Sequence, residues 1–285
     1  MSRITTHLWF DKEAKEAAEF YTSVFPNSRV KHTTRLHDTP SGSVDIVTAD
    51  VFGEEFSLLS AGPLFQFNPS VSFLVACRTK EEARKYWQAL SKGGNVRMDF
   101  GSYPFSEAYG WTEDKFGLSW QVIFVGERPV QRNIAPELMF VGAVSGKAEE
   151  AIRYYASVFQ NAKVGEIHRQ ENGTVQFATF TLEGQDFAAM DGGNESKFGF
   201  NEAISFMVHC ETQQDVDYYW GKLTAVPSAE ACGWLKDKYG FSWQIVPAAM
   251  ERMLASKDEK KLAKLTETFL KMKKFDIATL EAAVE

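Results

Sequence analysis

The chain is written twice. Lys12–Phe25 (KEAKEAAEFYTSVF) returns as Gly146–Phe159 (GKAEEAIRYYASVF), 134 residues later. Ala14, Ala17, Ala18, Tyr21, Val24 and Phe25 in the first copy match Ala148, Ala151, Ile152, Tyr155, Val158 and Phe159 in the second. Both sets follow the i, i+3, i+4, i+7 stripe of an amphipathic helix. A second pair starts at Asn68 (NPSVSFLVACRTKEEARKYWQAL) and Asn201 (NEAISFMVHCETQQDVDYYWGKL). Each reads as a buried strand running into a helix, with Thr79/Glu82 as a capping box and Thr212/Asp215 as a weaker one. The closing pair, AYGWTEDKFGLSWQVIF from Ala108 and ACGWLKDKYGFSWQIVP from Ala231, agrees at 9 of 17 positions. Solenoid repeats have periods of about 20–50 residues. A repeat this long is a duplicated domain.

Finer order recurs inside each half. Strands are expected at Thr5–Phe10, Val30–Leu36, Val44–Phe52, Glu55–Ser60, Val71–Cys77 and Leu118–Phe124, with a helix over Lys80–Leu90. A βαβββ unit thus occurs twice per half. The expected division is a first domain over 1–128, a second over 134–249, and a helical tail over 250–285, with Arg128–Pro136 as the linker. The second half is shorter between Trp220 and Trp234 than the first is between Trp87 and Trp111, so an edge strand near Pro227–Ala231 is expected to be curtailed. In the tail, Ser256/Glu259 reads as a capping box and Asp276 as a second helix start. Leu262, Leu265, Phe269 and Met272 form a helical stripe.

Composition narrows the function classes. The 285 residues carry 31 Lys+Arg against 38 Asp+Glu, a net charge of −7, which argues against a phosphate-backbone partner. No run of about 18 apolar residues reads as a membrane span, and no signal-peptide stretch opens the chain, so a cytoplasmic location is expected. Cys77, Cys210 and Cys232 are too scattered for a disulfide framework. Aromatic residues make up 14% of the chain. Trp87/Trp220, Trp111/Trp234 and Trp120/Trp243 are repeated framework, which leaves the Phe clusters and Trp111/Trp234 as ligand-facing surplus.

The segments LWFDKEAKEAAEFYTSVFPNS, GPLFQFNPSVSF, GWTEDKFGLSWQV, CGWLKDKYGFSWQIVP and KMKKFDIATLEAA resemble the PhnB-like branch of the glyoxalase/bleomycin-resistance/dioxygenase, or vicinal-oxygen-chelate, superfamily. That branch often carries the label 3-demethylubiquinone-9 3-methyltransferase domain. The resemblance implies an α+β fold of tandem glyoxalase-like domains, with paired βαβββ modules whose mixed sheet curls around a cleft. It also implies a divalent metal held by His and Glu side chains. At the matching positions this chain has His7, Ser60, Ser72 and Gln121 in its first half. The second half has Glu137, Asp191, Ser205 and Gln244. The metal quartet is degenerate, and His7, Glu137, Asp191 and Gln244 are its best remaining donors. The family label is disfavoured, because no glycine-rich turn with a following acidic ribose-binding position marks a Rossmann-type site.

Gln121 and Gln244 are the candidate catalytic residues, since alternation places Gln121 with Ser119 opposite Leu118, Trp120 and Val122. Trp111, Trp234, Phe65, Phe67, Phe198, Phe200, Ser72 and Ser205 are the candidate ligand contacts. Sheet closure and core packing are the structural alternatives for the aromatic ones. Asp114 and Asp237 read as turn formers ahead of glycine. His32, His37 and His168 are expected at the surface, His209 in the core, and Cys232 in a loop without an activating partner. The leading expectation is a protein that binds a small organic molecule, with no firm cofactor and a divalent metal as the one candidate. A metal-dependent lyase, isomerase or dioxygenase and a methyltransferase remain the alternatives. The duplication permits a monomer as an internal pseudo-dimer, or a homodimer.

Overall fold

The repeated helical stripe buries the residues its spacing selects: Ala14, Ala17, Ala18 and Tyr21 in one copy, Ala148, Ala151, Ile152 and Tyr155 in the other. The computed structural model describes residues 3–256 and 258–285. The first half contains β1 (Arg3–Phe10), α1 (Ala14–Val24), β2 (Arg29–Thr39), β3 (Gly42–Val51), β4 (Glu54–Ser60), β5 (Val71–Cys77), α2 (Lys80–Ser91), β6 (Asn95–Tyr103), β7 (Ser106–Glu113) and β8 (Ser119–Phe124). The second contains β9 (Ile134–Phe140), α3 (Ala148–Val158), β10 (Lys163–Arg169), β11 (Val175–Leu182), β12 (Gln185–Asp191), β13 (Ile204–Cys210), α4 (Gln213–Leu223), β14 (Trp234–Lys236) and β15 (Ser242–Pro247). The tail adds α5 (Ala248–Leu254), α6 (Glu259–Phe269) and α7 (Ile277–Val284).

Two mixed sheets form, and each draws strands from both halves. One has the order β14-β15-β13-β1-β4-β3-β2, the other β10-β11-β12-β9-β5-β8-β7-β6. The joints are antiparallel: β1 on β13, with His7 opposite Ser205, and β5 on β9, with Ser72 opposite Glu137. Each module would otherwise leave the unpaired backbone edge of β1, β5, β9 or β13 open. Duplication makes these edges equivalent, so a module can close against one from the other copy. Reciprocal bonds reinforce the exchange, with Asn68 donating to the Gly199 carbonyl and Asn201 to that of Gln66.

One face of each sheet packs inward. Phe56 meets Phe73 at 5.4 Å and Phe187 meets Phe206 at 5.2 Å, which joins the two sheets in one core. The Asp-x-x-Gly turns pin this core in duplicate. Buried Asp114 accepts from the Phe116 and Leu118 amides, the Tyr21 hydroxyl at 2.8 Å and the Trp120 indole at 2.9 Å. Asp237 does the same for Tyr239, Phe241, Tyr155 and Trp243. These aspartates form their turns, as the sequence suggests, and they also tie α1 and α3 to the last strands.

The curtailed edge is real: a single 3-10 turn (Pro227–Ala229) and the three-residue β14 stand where the first half has β6 and β7. The tail fills the gap. The Cys232 and Gly233 amides donate to the Met272 and Lys273 carbonyls at 2.8 and 2.7 Å, so an irregular segment of tail takes the place of the missing strand. Two local expectations change. The complete capping box lies at Thr212/Asp215, and Thr79 only accepts from the Glu82 amide. Helix α6 is capped by Asp258, whose side chain accepts from Lys260 and Lys261, rather than by Ser256 with Glu259. Asp276 caps α7 as expected.

Candidate functional site

Outward from the core, each sheet presents a polar centre built from the first strand of one half and the last strands of the other. On β5, β8 and β9 the register directs Ser72, Gln121 and Glu137 to the same face, with Tyr109 and Trp111 beside them on β7. Gln121 organises this group. Its amide nitrogen donates to Ser72 Oγ at 2.7 Å, and its carbonyl accepts from the Tyr109 hydroxyl at 2.5 Å. Trp111 donates to Ser119 Oγ at 2.8 Å, which fixes its ring at the rim. Ser72, Gln121, Tyr109 and Glu137 are buried, whereas Trp111 is half-buried. Burial lifts the Glu137 carboxyl to about 7, opposed only by hydrogen bonding from Gln121. Burial also raises the Tyr109 hydroxyl.

The other sheet carries the mates of these residues. His7, Ser205 and Gln244 lie on β1, β13 and β15, and the Gln244 amide donates to Ser205 Oγ at 2.9 Å. Cys232 stands where Tyr109 stands, so Gln244 has no phenol to accept from. Trp234 has turned edge-on to His7, with ring centroids 5.2 Å apart, and Ser242 Oγ is left without a partner. Burial drives the His7 imidazole down to about 3, and its Nδ1 is unpartnered. The tail closes this side. Leu254, Leu262 and Phe269 pack with Trp9, Ile46 and Leu59, while Glu251 bonds Arg3 and lies 3.6 Å from His209.

The structure groups the expected metal donors differently from the sequence reading. His7, Glu137, Asp191 and Gln244 do not converge. His7 and Gln244 share one sheet, and Glu137 stands on the other with Gln121 and Ser72. The quartets drawn from single halves dissolve because the modules are exchanged between halves. Asp191 lies on the opposite face of its sheet from Glu137. It accepts from the Ala148 amide at 3.0 Å and the Val175 amide at 2.8 Å, holding the start of α3. Ser60 does the same for Ala14 at 3.1 Å. Position 191 fails as a donor on parity alone: Ala188 pairs with Glu137 and Met190 with Met139, so these two residues share the Glu137 face. Among the described residues no three His, Cys, Asp or Glu side chains assemble as metal donors. A lone carboxylate beside an amide whose oxygen already serves Tyr109 does not fit a His/Glu metal cage.

Phe67 and Phe200 pack against Phe10 and Phe140, and Phe65 lies on Trp9. Phe65 and Phe67 also line a surface groove of about 540 Å³ that does not include Gln121, Gln244, His7 or Glu137. Phe198 is half-buried. Sequence reasoning missed Tyr109. Its signal was a mismatch inside the strongest repeat, A-Y-G-W against A-C-G-W.

Two curled mixed sheets of βαβββ modules, each with a polar centre on its outer face, make a glyoxalase-like fold. The model of the 3-demethylubiquinone-9 3-methyltransferase family matches residues 2–123 and 132–246, and the chain belongs to that family, in two tandem copies. The PhnB protein of Bacillus cereus is 35% identical over 42% of this chain and 98% of its own, with a TM-score of 0.40. Glyoxalase I from Zea mays is 12% identical over 89% of this chain and 96% of its own, with a TM-score of 0.55, a likeness of fold. No curated protein matches the chain. None of its described helices is long and apolar enough to cross a membrane.

Proposed function

We propose that the cleft around Glu137 binds a small organic molecule and moves a proton on it. The observation that carries this reading is a buried carboxyl poised near neutrality, at about 7, inside a fixed Tyr109–Gln121–Ser72 network. A group that both accepts and returns a proton at working pH suits general acid–base chemistry. Glu137 would take a proton from carbon or oxygen, and the Ser72 hydroxyl, which accepts from Gln121 and keeps its own proton free, would steady the charge that develops on a neighbouring oxygen. Tyr109 donates to Gln121 and so holds the amide that positions Ser72. Cleft B, the Glu137 side, is the working site; cleft A, the His7 side, is closed by the tail, so one ligand per chain is expected. Methyl transfer, which the family description names, is not the reading this site supports, because β1 enters α1 through Asp11–Glu13 without a glycine-rich turn.

The test is proton exchange. A panel of small ketones in D2O, followed by NMR, should show exchange at the carbon next to the carbonyl, rising with an apparent pKa near 7 and lost in Glu137→Gln. Absence of both exchange and binding across the panel sinks the proposal.

A further inference from the structure

Cleft B also carries information about the charge of its occupant. Across all of β5, β8 and β9, Glu137 is the only carboxylate, and these strands contain no lysine, arginine or histidine. Two further carboxylates share this face at its margins, Glu113 in register with Ser119 and Asp186 two residues before Ala188, and the cations beside them are committed: Arg97 pairs with Glu113 at 2.5 Å, and Arg132 serves Glu54 and Asp186. Around the polar centre the same face presents Leu74, Ile123, Met139 and Met190, and Met98 pairs in register with Trp111. An anionic ligand would meet like charge without a counter-ion, and its desolvation would go uncompensated.

The rim adds shape. Phe105 stacks on Tyr103 with an interplanar angle of 19° and meets Tyr109 edge-on at 4.9 Å, yet remains 53% exposed. These rings sit on the β6–β7 hairpin, which cleft A lacks. Flat aromatic surface of this kind favours planar ligands.

Resting on the proton-transfer reading above, we propose that cleft B selects an uncharged aromatic molecule bearing a carbonyl or hydroxyl group, with Glu137 as the residue that rejects anions.

Three probes of matched size distinguish the charge classes in the full chain: acetophenone, benzoate and benzylamine. Methionine methyl NMR locates binding, because Met98, Met139 and Met190 report on the cleft. At pH 8 acetophenone should shift these methyls saturably and benzoate should not. In Glu137→Gln, benzoate should gain about tenfold in affinity once the like charge is gone, while acetophenone changes less than about threefold. Benzoate binding the unaltered protein as well as acetophenone, or benzylamine binding tightest, overturns the charge assignment while leaving a ligand site in place. Failure of all three probes to move the cleft methionines overturns the ligand-site reading and this inference with it.

Discussion

His7 and Glu137 hold the same place in the two sheets. Each stands on the first strand of its half, opposite a serine of the other half, Ser205 or Ser72. Both are buried, one an acid and one a base, so burial works on them in opposite directions. Folding favours the protonated, neutral form of Glu137. Its contribution is fully present below the ordinary value of 4.5 and is lost as pH rises through about 7. Glu137→Gln should therefore stabilise the protein by roughly 2–3 kcal/mol at pH 8 and by little at pH 4.5. Urea midpoints at the two pH values check this, and an equal gain at both would contradict it.

His7 reverses the sign. Its folded form is the neutral imidazole, favoured down to about 3, so its contribution is present above the ordinary value of 6.5 and lost as pH falls from there. His7→Gln should flatten the acid limb of the stability profile between pH 6.5 and 4. An unchanged acid limb in urea unfolding would show that His7 is protonated without cost.

Asp114 gathers four donors in a space that excludes water. Asp114→Ala leaves the Tyr21 hydroxyl, the Trp120 indole and two amides without an acceptor, an expected loss of about 3–4 kcal/mol. Asp237→Ala should match it, because Tyr155 and Trp243 stand in the same relation. Chemical denaturation that finds either change below about 1 kcal/mol would reduce these aspartates to ordinary turn residues.

These contrasts show what kinds of information the sequence carries. The helical stripe of α1, the face shared by Ser119 and Gln121, and the glycine-terminated turns at Asp114 and Asp237 depend on neighbours a few residues away, and all were legible. The pairing of β1 with β13 brings together residues about 200 positions apart. Nothing in local periodicity distinguishes that partner from β5, its duplicate. Asp191 was misread because one residue of slip on a strand exchanges its faces. The tail's substitution for β6 uses backbone carbonyls at Met272 and Lys273, which have no side-chain signature.

Tyr109 is a second difference between the two polar centres, beside Glu137 against His7, since Cys232 takes its place in the second half. Tyr109→Phe keeps the ring and its contacts with Tyr103 and Phe105 but removes the donor to Gln121. The expected outcome is a loss of proton-exchange rate of about 10- to 100-fold, with acetophenone affinity changed much less. A parallel fall in affinity and rate would mean that Tyr109 serves binding alone.

The tail is held at Gly233, and that contact gives a direct test of its role in closing cleft A. Gly233 has φ +83°, and a Cβ there would lie 2.5 Å from the buried Phe275 ring and 3.0 Å from the Ile245 carbonyl. Phe275 thereby packs onto bare backbone beside the two amide bonds to Met272 and Lys273. Phe275→Ala should cost about 3 kcal/mol locally, enough to release residues 272–285 before the sheets unfold. Cys232, whose thiol burial now holds above its usual range, would then become reactive. The expected readout is faster thiol labelling at Cys232 and loss of amide protection in α7, with β5, β8 and β9 unchanged and ketone exchange at Glu137 retained. Labelling of Cys232 at the unaltered rate, or loss of exchange at the distant cleft, would show that residues 272–285 are not an independent cover over Cys232.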